Sequence, residues 1–198
     1  VQLENLYSVS NIPKRYQYYM PLSPDNDADF ETFVQLADFM DDVKAKVKKG
    51  RGLFLYSEKK GNGKTSWACK IANEYIKKVA LDNNLRCRVF YINVPDFIQL
   101  LKDNMSNPSE HMQAMIYNIR NADLVIWDDI GTETPTTWVR QTLYTYINHR
   151  YSNMLSQIFT SNIMPETLCD EQYMGERIVD RIAGCCDMHE FTGQSRRY

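Results

Sequence analysis

The chain has 198 residues, of which 43% are hydrophobic and 24% charged, with a formal net charge of −2. That length fits one domain with a sizeable core, and the charge balance excludes a broadly basic nucleic-acid binder, so any DNA contact must come from a local patch. No apolar run approaches the roughly 18–20 residues of a membrane span, and no secretory signal opens the chain. The five cysteines (Cys69, Cys87, Cys169, Cys185, Cys186) lack CxxC spacing and the three histidines are scattered. That usage argues against a disulfide framework or a metal centre and for a reducing cytoplasm. Because the chain starts at Val1, we expect that a segment before it has been removed.

In chain order, residues 1–27 read as an irregular segment interrupted by Pro13, Pro21 and Pro24. A domain over 28–198 follows. Its first helix is expected from Ala28 to Lys49, with apolar positions Phe30, Phe33, Val34, Ala37, Phe39, Met40, Val43 and Val47. Acids at its start and lysines at its end suit the helix dipole. Gly50 and Gly52 lead into the strand Leu53–Tyr56, and a helix runs from Thr65 to about Val79. Beyond it, Arg88–Asn93 reads as a buried strand. Pro95–Asn104 and Glu110–Arg120 read as helices parted by Ser106-Asn107-Pro108-Ser109. Leu124–Asp129 is another strand, Thr136–Tyr151 a helix, and Ser156–Ser161 a strand. A helix over Gly175–Ala183 and a short strand over Met188–Thr192 close the chain. Strands alternating with helices predict an α/β fold, a three-layer sandwich around a central parallel sheet.

Between the first strand and its helix lies GNGKTS, Gly61 to Ser66. Gly61 and Gly63 free the backbone to curl around an anion, with Asn62 and Ser66 on the same loop. Lys64 can reach β- and γ-phosphates, and Thr65 can hold Mg²⁺ through its hydroxyl. The following helix points its positive end at the phosphates. A full P-loop pattern has glycine five positions before Gly63, where this chain has Glu58. In LVIWDDIG an apolar strand delivers Asp128 and Asp129 to the C-terminal edge of the sheet, where α/β sheets bind ligands. In a P-loop fold Asp128 would hold Mg²⁺ through water, and Asp129 would orient or deprotonate the attacking water. IFTSN places Asn162 at the end of a buried strand, within reach of that water or the γ-phosphate. GERIVDR sets Arg177 and Arg181 on one helix face, and guanidinium forks match phosphate oxygens. Arg196 and Arg197 form a weaker group of the same kind.

Taken together, NIPKRY, GLFLY before GNGKTS, VPDF, WDDIG, TTWVR, FTSN, GERIVDR and FTGQSRR follow one another in a specific order and spacing. In this the chain resembles the AAA+ ATPase domain of DnaC/DnaI-type replicative helicase loaders, and it looks closer to the DnaI branch. The resemblance covers nearly the whole chain from Asn11. It implies Lys64 and Thr65 as Walker A residues, Asp128 and Asp129 as the Walker B pair, and Asn162 as the first sensor. It also implies Arg181 as an arginine finger acting on a neighbour's nucleotide, Arg177 as its companion, and Arg197 as a second-sensor candidate. The implied cofactors are ATP and Mg²⁺. The implied partners are a hexameric replicative helicase, single-stranded DNA along the helices between Pro95 and Arg120, and further copies of the chain through a shared ATP site. No membrane partner is implied.

Glu58 in place of glycine, and Asp129 where many AAA+ proteins carry Glu, lead us to expect a slow, switch-like ATPase. We expect no helical lid domain after the last strand, and no helicase-binding N-terminal domain within these residues. An IstB-type transposition helper and an adaptor that binds ATP without hydrolysing it are the alternative readings.

Overall fold

The computed structural model describes residues 2–17, 29–82, 86–104, 109–132 and 135–195. Its centre is a five-stranded sheet: β1 (Gly52–Tyr56), β2 (Val89–Asn93), β3 (Leu124–Asp128), β4 (Ser156–Ser161) and β5 (Cys186–Glu190). The strands lie in the order β2-β3-β4-β1-β5, every neighbouring pair parallel. The helices are α1 (Gln2–Ser10), α2 (Phe30–Asp41), α3 (Val43–Lys48), α4 (Lys64–Val79), α5 (Val94–Asp103), α6 (Glu110–Asn121), α7 (Thr137–Ser152), α8 (Pro165–Leu168) and α9 (Glu176–Cys185).

Side chains alternate across the strands and fill a core on each face. Phe54, Phe90, Ile92, Val125, Trp127 and Phe159 pack with α5, α6, α7 and α9. Leu53, Leu55, Val89, Tyr91, Leu124, Ile126 and Ile158 pack with α1 to α4. Because both faces are covered, the strands read as continuous apolar runs rather than alternating ones. Each fully buried aliphatic or Phe side chain contributes about 1.5–3 kcal/mol. Polar caps start several helices where the sequence offers them. Asn93, Ser109 and Thr136 accept from the backbone N–H groups of Asp96, Met112 and Val139 at 3.2, 3.2 and 3.3 Å. At the sheet end away from the candidate site, fully buried Arg150 donates to the carbonyls of Ile119, Ala122, Asp123 and Ser156. It thereby ties α6 to the starts of β3 and β4.

Three expectations need correction. The segment read as irregular contains α1 and a 3-10 turn over Lys14–Tyr16, and Leu6 and Ile12 reach the α4-side core. The prolines that suggested irregularity all follow Ser10, so nothing in Gln2–Ser10 breaks a helix. Residues 18–27 of that segment lie outside the described residues, as do Ser106, Asn107 and Pro108. The single helix expected over 28–49 is two, parted at Asp42 (φ −109°, ψ 28°). The break brings Val43 and Val47 into the same core as Phe33, Leu36 and Phe39, while Phe30 and Val34 are exposed. The last strand begins two residues earlier than expected, at Cys186, directly after α9.

Candidate active site

With all strands parallel, their C-terminal ends share one edge, and the register sets Asn93 beside Asp128 and Tyr56 beside Ser161. The GNGKTS loop leaves β1 at this edge. Gly61 and Gly63 have φ of 80° and 104°, the left-handed region that side chains disfavour, and Gly63 starts α4 from that conformation. The loop is braced from within. Ser57 Oγ accepts from Lys59 N at 3.0 Å and from Asn62 Nδ2 at 2.9 Å. Asn62 is fully buried and also donates to Phe191 O, so its side chain holds the loop to the segment after β5. Lys59 Nζ donates to Thr192 O, while buried Asp29 accepts from the backbone N–H groups of Thr192 and Gly193. Lys64 is 5% exposed, its ammonium on Lys59 O at 2.9 Å and Asn62 Oδ1 at 3.1 Å. Ser66 is half-buried on the first turn of α4, and Glu58 is exposed.

Asp128, 3% exposed, gathers three hydroxyls. Thr65 and Thr160 donate to its Oδ1 at 2.8 and 2.7 Å, and Tyr91 donates to its Oδ2 at 2.6 Å. Burial and the adjacent Asp128 push the Tyr91 phenol pKa up, so it remains a donor; they raise the Cys69 thiol likewise. Asp129 leaves the strand in a left-handed conformation, φ 59°, which costs a non-glycine residue about 1–2 kcal/mol. Two bonds offset that cost. Its N–H donates to Thr160 Oγ1 at 2.9 Å, and Asn162 Nδ2 donates to its Oδ1 at 2.9 Å. Thr160 therefore locks the two acids to each other, accepting from the Asp129 N–H and donating to Asp128.

Thr65 Oγ1 and the Asp128 carboxylate are hard oxygen donors side by side, which suits Mg²⁺, an ion that takes one or two protein oxygens and keeps its waters. Arg177 and Arg181 are elsewhere. They sit on α9, which packs with α7 on the sheet face opposite α4, and the Arg181 guanidinium meets Asn148, Asp180, Tyr144 and Tyr151. Arg196 and Arg197 lie outside the described residues. Tyr91, Thr160 and Ser57 join the site without having been singled out as functional from the sequence. Tyr91 carried a signal in being two residues before Asn93 on a strand neighbouring LVIWD, but only pairing of the two strands brings its hydroxyl to Asp128.

The family profile described as IstB-like ATP binding protein matches residues 33–198. The chain belongs to this ATP-binding family. The replicative helicase loader DnaI of Bacillus subtilis (strain 168) is 28% identical over 177 residues, covering 84% of this chain and 53% of that protein. The replicative helicase loader DnaC of Escherichia coli (strain K12) is 27% identical over 130 residues, covering 65% of this chain and 49% of that protein. The chain thus spans about half the length of these curated relatives. Among solved structures, that of the DnaC helicase loader superposes with a TM-score of 0.76 at 22% identity, covering 91% of this chain and all of that one. The shared fold is the P-loop fold of AAA+ type, the fold expected from the sequence. Among the described residues, no helix of this IstB-like chain is long and apolar enough to cross a membrane.

Proposed function

We propose that this chain binds Mg-ATP at the GNGKTS loop, hydrolyses it slowly, and serves in loading a replicative helicase onto single-stranded DNA in the cytoplasm. The observation that carries the ATPase half is the pairing at one sheet edge: Thr65 on Asp128 at 2.8 Å and Asn162 on Asp129 at 2.9 Å. The loading half is supported by the DnaI and DnaC relatives.

In this reading the Lys64 ammonium exchanges Lys59 O and Asn62 Oδ1 for the terminal phosphates, and backbone N–H groups of residues 61–66 cradle them. Thr65 and Asp128 would hold Mg²⁺, which when bound neutralises charge developing on the β- and γ-oxygens. Asp129 orients the attacking water and takes its proton, and Asn162 keeps that carboxylate aimed. Arg181 packs on α7, on the sheet face opposite α4, and in this reading it serves a nucleotide held by a neighbouring copy. The α5–α6 helices contact single-stranded DNA, where Lys102 and Arg120 are exposed. With Glu58 exposed, the slow rate is assigned to the shorter Asp129.

A second reading, an IstB-type transposition helper acting on duplex DNA, is favoured by the family match. A pull-down with a hexameric replicative helicase, with and without ATP, separates the two. ATP-dependent retention of the helicase together with preference for single-stranded DNA is expected. Duplex preference with no helicase retained would favour the transposition helper.

A further inference from the structure

On the sheet face opposite the P-loop helix, α7 presents Tyr144, Asn148 and Tyr151 at positions i, i+4 and i+7, a single helical stripe. Against it α9 brings Arg177 and Arg181, four residues apart. The Arg177 guanidinium carbon stands 4.2 Å from the centre of the Tyr144 ring. That of Arg181 stands 6.0 Å from the Tyr144 ring and 5.3 Å from the Tyr151 ring. Arg181 Nε donates to Asn148 Oδ1 at 2.9 Å, and Nη1 pairs with Asp180, whose side chain is largely exposed. Gly184 allows this packing, because a Cβ there would come within 2.9 Å of a Tyr151 ring carbon and displace the ring. A cleft of about 450 Å³ opens between the helices, with Tyr144, Arg177, Arg140 and Gly175 in its wall.

We propose that the Tyr144–Asn148–Tyr151 stripe of α7 is a rack that pre-orients Arg181, with Arg177 beside it, for delivery to the terminal phosphate of ATP bound by a second copy of this chain. The proposal rests on the reading of Arg181 as acting in trans. An arginine free in solvent has many rotamers to lose when it engages a phosphate, and one already held between ring faces and an amide has few. Ring faces attract the flat side of a guanidinium and leave its N–H edge available. Asn148 takes Nε, so the fork left for a phosphate is the pair of terminal nitrogens, with Asp180 the group a phosphate replaces. Tyr144, Asn148 and Tyr151 are positioning residues. They reach the nucleotide only through the arginines.

The test is steady-state ATP turnover by the full chain across protein concentrations that permit assembly, with ATP affinity measured separately. Tyr144→Leu and Tyr151→Leu should each lower kcat roughly three- to tenfold while KM and ATP affinity stay as in the wild type. Tyr151→Phe keeps the ring face and should restore most of the rate, whereas Tyr144→Phe also removes a hydroxyl bonded to the arginines and should restore less. Should the leucine variants unfold, Asn148→Ala removes one hydrogen bond at a half-buried position and should lower kcat roughly two- to threefold. Arg181→Ala is measured in parallel. If Arg181→Ala keeps the wild-type rate, the shared site is wrong and the rack falls with it. If Arg181→Ala loses rate while the folded leucine and Asn148→Ala variants do not, the shared site stands and the rack alone is overturned. Leucine variants that lose ATP affinity in step with rate, or a Tyr151→Phe variant as slow as Tyr151→Leu, also overturn it.

Discussion

The end of β3 and the side of α9 that meets α7 both carry paired charged side chains, and they are built in opposite ways. Asp128 and Asp129 are clamped inside one chain by hydroxyls and an amide, with the Asp129 N–H itself held on Thr160 Oγ1, all within 2.9 Å. Arg177 and Arg181 lie on aromatic rings and an amide, with the Arg181 side chain 28% exposed. The acids form a complete constellation with Thr65, Thr160 and Asn162. The arginines are ordered, but nothing they touch is part of that constellation. The groups proposed to handle a metal and a water are thus fixed by one fold, whereas those proposed to meet phosphate from outside are left presentable.

Breaking the acidic side should have the largest effect. Asp129→Asn removes the proposed proton acceptor and should lower the hydrolysis rate about 10²–10⁴-fold, with ATP affinity little changed. Asp128→Asn should instead weaken Mg²⁺-dependent binding. Wild-type turnover in both variants would leave the acids as an ordinary strand end. Next comes Lys64→Ala, expected to weaken ATP binding about a hundredfold or more while melting as the wild type does. A nucleotide titration giving the wild-type affinity would remove the P-loop assignment. The contrast itself is sharpened by mixing Arg181→Ala with Lys64→Ala, each inactive alone. Random assembly pairs an intact loop with an intact arginine at about a quarter of the interfaces and should recover activity in that proportion. No recovery where mixed assemblies demonstrably form would place both halves of the site in one chain, or in none. The smallest effect is expected from Tyr91→Phe, which removes one of three hydroxyls on Asp128. The Mg²⁺ concentration for half-maximal turnover should rise roughly two- to tenfold. An unchanged Mg²⁺ dependence would make Tyr91 a packing residue only.

Local motifs were legible because their chemistry is carried by residues close in sequence. GNGKTS shows its glycines and cation in a row, and LVIWDD shows an apolar strand ending in acids. The bracing of those motifs was not legible. Asn62, which reads as a phosphate-loop residue, is turned inward to hold Phe191 O, and Lys59 reaches Thr192 O across 133 positions. The first helix, Gln2–Ser10, is not marked in the sequence because its stability comes from Leu6 reaching the core, a contact that the local pattern does not show. The break at Asp42 is hidden because near-helical spacing tolerates it: Val43 and Val47 join the core of Phe33, Leu36 and Phe39 from a second helix.

By itself, the sequence determined the alternation of buried strands with helices, the phosphate loop, and the acids and amide at strand ends, since hydrophobic periodicity and turn chemistry act over a few residues. Strand order, and with it every contact between those motifs, was decided by tertiary structure. Only pairing of β3 between β2 and β4 puts the Tyr91 and Thr160 hydroxyls on the same carboxylate as Thr65, and only packing of α9 on α7 lays Arg181 against Tyr151. The physical reason is range. A hydrogen bond or a ring contact acts over a few ångströms, and the groups that meet here are separated by some thirty to sixty residues of chain, brought together by burial of two apolar sheet faces that specifies no single pair.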